Sequence, residues 1–224
     1  MVASNISTEN GIAVRIMSTE DYDQVELFLR DHYYNADPLM MSCPGDLYKF
    51  GIPYFDEMNL SLIKQNTSLI AIDELTNSIA GVVIAGAQAE NDVEEHRLLS
   101  EALGSNIFGC IERLVSEVER KSNVYQRFNV NKLLYSHVTC VDTLKRGQGL
   151  GVRLAKTLIK LGRAKGFKLM LALCSSFYSA RQKHALGMEC IYAQAYADYK
   201  DDEGRAILTP PAPHTHIRVM AMKL

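Results

Sequence analysis

The stretch Val141-Asp142-Thr143-Leu144-Lys145-Arg146-Gly147-Gln148-Gly149-Leu150-Gly151-Val152-Arg153 decides how this chain is read. The run that enters it, Lys132–Val141 (KLLYSHVTCV), is apolar and β-branched and predicts a strand. On the far side, Leu150, Leu154, Leu158 and Leu161 recur at helical spacing and predict an amphipathic helix over 149–165. The three glycines therefore fall between a strand and the start of a helix. Such a loop presents backbone N–H groups at the positive end of the helix dipole, which together form an anion site. A nucleotide P-loop needs Gly-Lys-Ser/Thr at the helix start, but here Val152 and Arg153 follow the last glycine. A dinucleotide-binding fold wants an acid at the end of the next strand, yet Lys168–Leu173 runs into Cys174-Ser175-Ser176.

The charge around the loop also suits an anion. From Thr143 to Met188 there is no Asp or Glu, while Lys145, Arg146, Arg153, Lys156, Lys160, Arg163, Lys165, Lys168, Arg181 and Lys183 all lie there. All 26 acidic residues fall elsewhere, although the net charge is only −2. Part of the basic set, Arg153, Lys156, Lys160 and Arg163, also fits a solvated helix face. The 224 residues are 47% hydrophobic and 22% charged, as expected for a single soluble domain over 1–224 with a polar, frayed start at 1–11. No run approaches the roughly 18 apolar residues that cross a bilayer. The first residues, MVASNISTEN, carry neither a basic nor an apolar leader segment, so a cytoplasmic location is expected. Cys43, Cys110, Cys140, Cys174 and Cys190 are odd in number and widely spaced, which reads as buried thiols rather than a disulfide framework or a metal site.

The first half predicts a strand at 13–17, a helix from a capping signal at Ser18 to about Tyr34, and an irregular or short-helical segment over 37–58 rich in proline and aromatic residues. A hairpin (68–72 and 79–89) and helices at 92–103 and 107–122 follow, the last with Ile111, Leu114, Val115 and Val118 on one stripe. Beyond the glycine loop come a buried strand at 168–173, a helix at 178–186 and strands at 190–197 and 217–223.

Arg146-Gly147-Gln148-Gly149-Leu150-Gly151 matches in full the Gln/Arg-x-x-Gly-x-Gly/Ala loop of the GNAT superfamily of N-acetyltransferases. Its surroundings resemble that family too, with Val141-Asp142 before the loop, Leu154-Ala155 after it and Leu186-Gly187-Met188 closing the later helix. The resemblance implies an α/β (α+β) fold: a mixed, mostly antiparallel twisted sheet of about seven strands, flanked by helices and splayed between the fourth and fifth. It implies acetyl-CoA as co-substrate and no metal. The pyrophosphate is expected on Arg146, Gly147, Gln148, Gly149, Leu150, Gly151 and Val152. The pantetheine arm is expected along Thr139, Cys140 and Val141, beside Ser175 and Tyr178, with a backbone oxyanion donor from Cys140-Val141.

Farther from the loop, His32-Tyr33-Tyr34-Asn35-Ala36-Asp37-Pro38-Leu39 is similar to a segment of the insect arylalkylamine and polyamine (agmatine) N-acetyltransferases that ends in Glu-Pro-Leu. The glutamate of that motif is regarded as the general base, and Asp37 holds its position. Ser175, Tyr178 and Ser179 resemble the serines and tyrosine after the fifth strand; His214 or His216 lies where the branch has a histidine. The resemblance thus implies catalytic roles for Asp37, Ser175, Ser179 and Tyr178, and an acceptor site at Tyr34, Asp37, Pro38 and His216. Aspartate is one methylene shorter, about 1.5 Å of reach, which a bridging water can span. The same residues also have purely structural readings: helix termination for Asp37, helix capping for Ser175 and Ser179, and a surface place for the histidines.

The implied reaction acetylates a small primary amine. Tyr33, Tyr34, Tyr48, Phe50, Tyr54 and Phe55 suit an arylalkylamine such as tyramine, dopamine or serotonin; Asp46, Asp56 and Glu57 suit the distal charge of agmatine or a polyamine. Two other readings stay open. One is a non-catalytic acyl-CoA-binding protein of the same fold, and the other is an N-acetyltransferase of proteins or peptides. Nucleic-acid and membrane partners are not expected, and a monomer is.

Overall fold

A computed structural model describes residues 6–42 and 52–224. Cys43, Asp46, Tyr48 and Phe50 lie outside the described residues. Eight strands form one sheet: β1 (Ser7–Glu9), β2 (Ile12–Ile16), β3 (Leu69–Asp73), β4 (Ser78–Ala89), β5 (Lys132–Val141), β6 (Leu169–Cys174), β7 (Glu189–Ala195) and β8 (His216–Lys223). Their order is β1-β2-β3-β4-β5-β6-β8-β7, and every neighbouring pair is antiparallel except β5 and β6. This is the mixed, mostly antiparallel sheet expected. The additional strand is β1, formed by residues expected to fray. It pairs with β2 through Asn10 (φ 51°) and Gly11 (φ 72°), whose left-handed backbones make the tight turn that Asn-Gly favours between twisted strands.

Helices cover both faces. On one lie α1 (Tyr22–Leu29), α2 (Ile52–Ile63), α3 (Glu90–Ala102), α4 (Ile107–Ser122) and the short α5 (Val124–Phe128); on the other lie α6 (Leu150–Ala164) and α7 (Phe177–Ala185). The stripe Ile111, Leu114 and Val118 of α4 packs with Phe108, Ile84, Leu133 and Val219, while Leu154 and Leu158 of α6 pack on Val83, Leu134 and Met170. These side chains are almost wholly buried, each worth about 1.5–3 kcal/mol of transfer free energy.

Three local expectations are corrected. The helix expected to reach Tyr34 stays α-helical only to Leu29 and widens into a π-turn over Arg30–Tyr34, a bulge that re-aims the following residues. The segment expected to be irregular or short-helical over 37–58 leads into the twelve-residue α2, which starts within it and runs on to Ile63. Pro53 sits in its first turn, where a missing N–H costs no helical bond, and Phe55, Asn59, Leu62 and Ile63 share its buried face. Of the described cysteines, only Cys140 and Cys174 are buried; Cys110 is half-buried and Cys190 exposed, and all four are free.

Candidate active site

The donor side is built where β5 meets α6. Gly147 (φ 78°) and Gly149 (φ 84°) hold left-handed backbones that a side chain would strain. Around both, the space a Cβ would fill is open, so the loop backbone is approachable. Gly151 is tight instead, because a Cβ there would lie 2.6 Å from Gln182 Nε2. Asp142 fixes the loop entry by accepting from the Leu144 N–H at 2.9 Å, and Lys145 is paired with Asp73 at 2.6 Å. Arg146 donates through Nη2 to the His32 carbonyl at 2.7 Å and through Nε to Val141 at 3.2 Å, tying the loop to the π-turn. Arg153 is turned away and holds the carbonyls of Ser7, Glu9 and Ile12.

Beside this loop the sheet opens. Strands β5 and β6 pair only at Leu134–Met170 and Tyr135–Leu171 and then part, leaving Thr139, Cys140 and Val141 along one side of the gap. An open glycine loop at a helix N-terminus, followed by a gap between parallel strands, fits a long ligand with an anionic pyrophosphate and a narrow arm, as acetyl-CoA has. The Cys140 thiol is pushed up to about 12 by burial, so it stays protonated. On the α6–α7 face of β5, the Lys183 ammonium approaches Ser136 Oγ at 3.4 Å and Thr139 Oγ1 at 3.3 Å. Lys183 is 3% exposed, pairs with no carboxylate among the described residues, and has its pKa lowered by burial.

On the opposite face lies a cavity of about 470 Å³. At one end is Asp37, itself buried. Its Oδ2 accepts from Ser175 Oγ at 2.5 Å, and its Oδ1 accepts from the Leu39 N–H at 2.9 Å and more weakly from Met40. Burial lifts the carboxyl above its ordinary pKa, against the lowering pull of Ser175, these backbone bonds and His214. Ser175 is the first residue after β6, and Tyr196 holds its carbonyl with a 2.6 Å hydrogen bond. Aromatic rings wall the cavity: Tyr34 and Phe55 are stacked 5.6 Å apart, with Tyr33, Tyr54 and Tyr135 alongside. Where β4 and β5 slip register, His137 is the extra residue, and it lines the cavity. Burial, aided by the nearby charge of His96, pushes it down to about 4, so the ring is neutral at pH 7.

To the same cavity α4 contributes Glu112 and Glu119, 4% and 5% exposed, facing His96 of α3. The ring donates from Nδ1 to Glu119 at 2.8 Å and from Nε2 to Glu112 at 3.3 Å. Burial alone lowers the His96 pKa, but the two carboxylates overturn that and raise it to about 10.

Tyr34, Asp37 and Ser175, with Pro38 buried next to Asp37, are therefore gathered at one site. Other expected residues are not. Tyr178 is 62% exposed with its ring edge on His214, and the Ser179 hydroxyl donates to the Ser176 carbonyl at 3.0 Å. The residue that caps α7 is Ser176. His216 sits in a separate surface depression with Glu117 and Tyr192, whereas His214 accepts from the Phe177 N–H near Asp37. Asp56 accepts from the Tyr22 hydroxyl, and Glu57 lines the cavity. The sequence reading gave no role to His96, Glu112, Glu119 or His137, and placed Lys183 only in the basic stretch that suits an anion, whereas it is buried beside Ser136 and Thr139. Its one available signal was the pair Glu112 and Glu119, seven apart and so on one side of α4, at the flank of an apolar stripe.

No protein-family model matches the chain. Among solved structures, an apo form of a serine-to-alanine mutant of agmatine N-acetyltransferase is 30% identical, with 96% of this chain and all of that one covered and a TM-score of 0.87. The polyamine N-acetyltransferase of Drosophila melanogaster, which catalyses formation of N-acetylagmatine, is also 30% identical over 95% of this chain and all of its own, at 0.84. Arylalkylamine N-acetyltransferase 2 from Aedes aegypti is 28% identical over 96% and 99%, at 0.87. The chain belongs to the GNAT superfamily, within the branch that holds the insect arylalkylamine and agmatine N-acetyltransferases.

Proposed function

We propose that this chain, acting as one domain, transfers the acetyl group of acetyl-CoA to the primary amine of a small molecule, with Asp37 as the general base. The observation that supports this reading most is the Asp37–Ser175 contact, a buried carboxylate lining the cavity and bonded to the first residue after β6, beside the gap. Bound acetyl-CoA supplies the acetyl thioester.

An alkyl amine arrives mostly protonated, since its pKa is about 10. Asp37 takes that proton, directly or through one water. A carboxylate whose pKa is lifted by burial is a stronger base than an exposed one, which suits it to the step. Ser175 orients the carboxylate, and Tyr196 orients Ser175. Backbone N–H groups of β5 beyond Tyr135, where the pairing with β6 ends, are the available donors for the carbonyl oxygen under attack. Tyr178 and Ser179 lie outside the cavity lining and are not needed to reach the amine.

The test is release of free thiol when purified protein is mixed with acetyl-CoA and tyramine, dopamine, serotonin, agmatine, putrescine, spermidine or a peptide. Release with small amines is the expected result. Tight CoA binding without release for any acceptor would replace this reading with an acyl-CoA-binding role.

A further inference from the structure

Cys174, which ends β6, and Ser175, which follows it, point to opposite faces of the sheet, as strand geometry requires. Ser175 lines the cavity and meets Asp37, whereas Cys174 is buried among the side chains of the α6–α7 face. There the charge of Lys183, from α7, acts on the Cys174 thiol. The same ammonium reaches across to Ser136 Oγ, one residue past the last β5–β6 pair at Tyr135–Leu171, and to Thr139 Oγ1 farther along β5. Lys183 thus stands along the stretch of β5 that has left β6, on the side of the sheet away from Asp37.

The fold alone gives no account of a lysine in this place. It is 3% exposed, its partners are two neutral hydroxyls, and no carboxylate pairs with it among the described residues. An ammonium offers three donors, and the third meets no acceptor among the described residues. Burying such a charge without a counter-ion is costly, and an apolar side chain of like length would avoid the cost. The proposed acetyl transfer supplies a counter-ion, because negative charge gathers on sulfur as it leaves the acetyl carbon in this same gap. Other donors nearby are turned elsewhere. Tyr178 is exposed, and Ser179, also beside Cys174, gives its hydroxyl to the Ser176 carbonyl.

We propose that Lys183 receives the departing sulfur: its ammonium hydrogen-bonds the thiolate formed as the carbon–sulfur bond breaks and passes it a proton. This rests on the proposed acetyl transfer at Asp37 and adds the group that serves its leaving atom. The amine first loses one proton through Asp37 to water. As the nitrogen–carbon bond forms and the carbon–sulfur bond breaks, Asp37 takes the second proton and Lys183 gives one to sulfur. Exchange with water restores both groups as the products leave. Base and acid then stand on opposite faces, one against Ser175 and the other against Cys174, so the amine enters from one side while sulfur departs on the other. Burial lowers the Lys183 pKa, which makes its proton easier to give.

The experiment compares the wild-type chain with Lys183→Met, which keeps an unbranched side chain and removes the charge. Calorimetry with CoA and with desulfo-CoA, which lacks only the sulfur, reads the contact without catalysis. The wild-type chain is expected to bind CoA about tenfold tighter than desulfo-CoA, and the variant to bind both alike, with its desulfo-CoA affinity unchanged. In turnover the variant is expected to lose about tenfold or more in kcat, with the KM for amine kept. Lys183 must be protonated to donate, so wild-type kcat falls as pH rises through its lowered pKa, and the variant lacks that alkaline limb. Cys174 of β6 is the titratable group acting on Lys183, and Arg218 of β8 and Cys190 of β7 act in turn on Cys174. Melting temperature is expected to hold or rise in the variant; a merely structural lysine would lower it and leave kcat and the limb unmoved. Equal wild-type affinities for CoA and desulfo-CoA overturn the contact, as does wild-type kcat in the variant. Should no amine be acetylated, the reading of Asp37 fails, and the CoA comparison alone decides Lys183. Should the variant not fold, the wild-type comparison with desulfo-CoA decides it.

Discussion

Whereas the α6–α7 face of the sheet gathers an open, glycine-lined loop in a stretch rich in lysine and arginine, the α1–α2–α4 face encloses a cavity lined by carboxylates. The two meet where β5 and β6 part, beside the Asp37–Ser175 contact, and again where Arg146 holds the His32 carbonyl. In the proposed reaction this difference keeps an anionic donor and a cationic acceptor from competing for one site, because each is drawn to a face that repels the other. Several of the ten basic residues are already held by the protein itself. Lys145 is spent on Asp73, Arg153 on the β1–β2 hairpin, and Lys183 is buried beneath β5.

If the faces act separately, damage to one leaves the other intact. The largest effect is expected from Asp37→Ala. Loss of a general base costs about 10² in turnover, while CoA affinity measured by calorimetry stays within about twofold; wild-type turnover would remove Asp37 from the chemistry. Gly149→Val is the reciprocal test. Forcing a β-branched residue to φ 84° costs about 1–2 kcal/mol, so the KM for acetyl-CoA should rise about tenfold with the KM for amine unchanged.

A smaller change is expected from Ser175→Ala, and it appears in the pH profile. Asp37 must be ionised to act, so activity falls as pH drops through its raised pKa. Ser175 favours the ionised form, and removing its hydroxyl moves that acid limb to higher pH. A merely structural serine would lower activity without moving the limb. The smallest effect concerns stability. The His96 pKa is raised in the folded chain, so its contribution is complete below about 6.5 and is lost as pH rises toward about 10. Melting temperature should fall over that window, and His96→Gln should flatten the slope.

The two faces also differ in how openly the sequence declares them. The glycine loop is contiguous: its six residues lie where a strand gives way to an amphipathic helix, and the absence of a P-loop lysine or a ribose acid narrows its reading further. The acceptor cavity is assembled from α2, α3, α4, β4, β5 and the end of β6, so no local pattern describes it. Asp37, the proposed base, stands out in the sequence only through the likeness of Asp-Pro-Leu to a family motif, while Glu112 and Glu119 resemble ordinary charges beside an apolar stripe until the helix is docked. His137 reads as one polar residue in a strand, and only the register slip against β4 turns it toward the cavity. Tyr178 and Ser179 show the reverse case. Their spacing was right, yet α7 presents Tyr178 to solvent and ties the Ser179 hydroxyl to the Ser176 carbonyl. The β1 strand had a local signal in Asn10-Gly11, outweighed by the polarity of Ser7-Thr8-Glu9, which an edge strand tolerates.

That short hairpin, clasped by Arg153, bears on how the molecule behaves in a crowded solution. An open sheet has two flanks, each a row of unmade backbone bonds on which another chain can grow. Strand β1 is only three residues long, and one guanidinium from α6 already occupies the carbonyls of Ser7, Glu9 and Ile12. A basic residue that first reads as part of the pyrophosphate field thus takes up carbonyls of the edge hairpin and leaves that flank little to offer a passing strand.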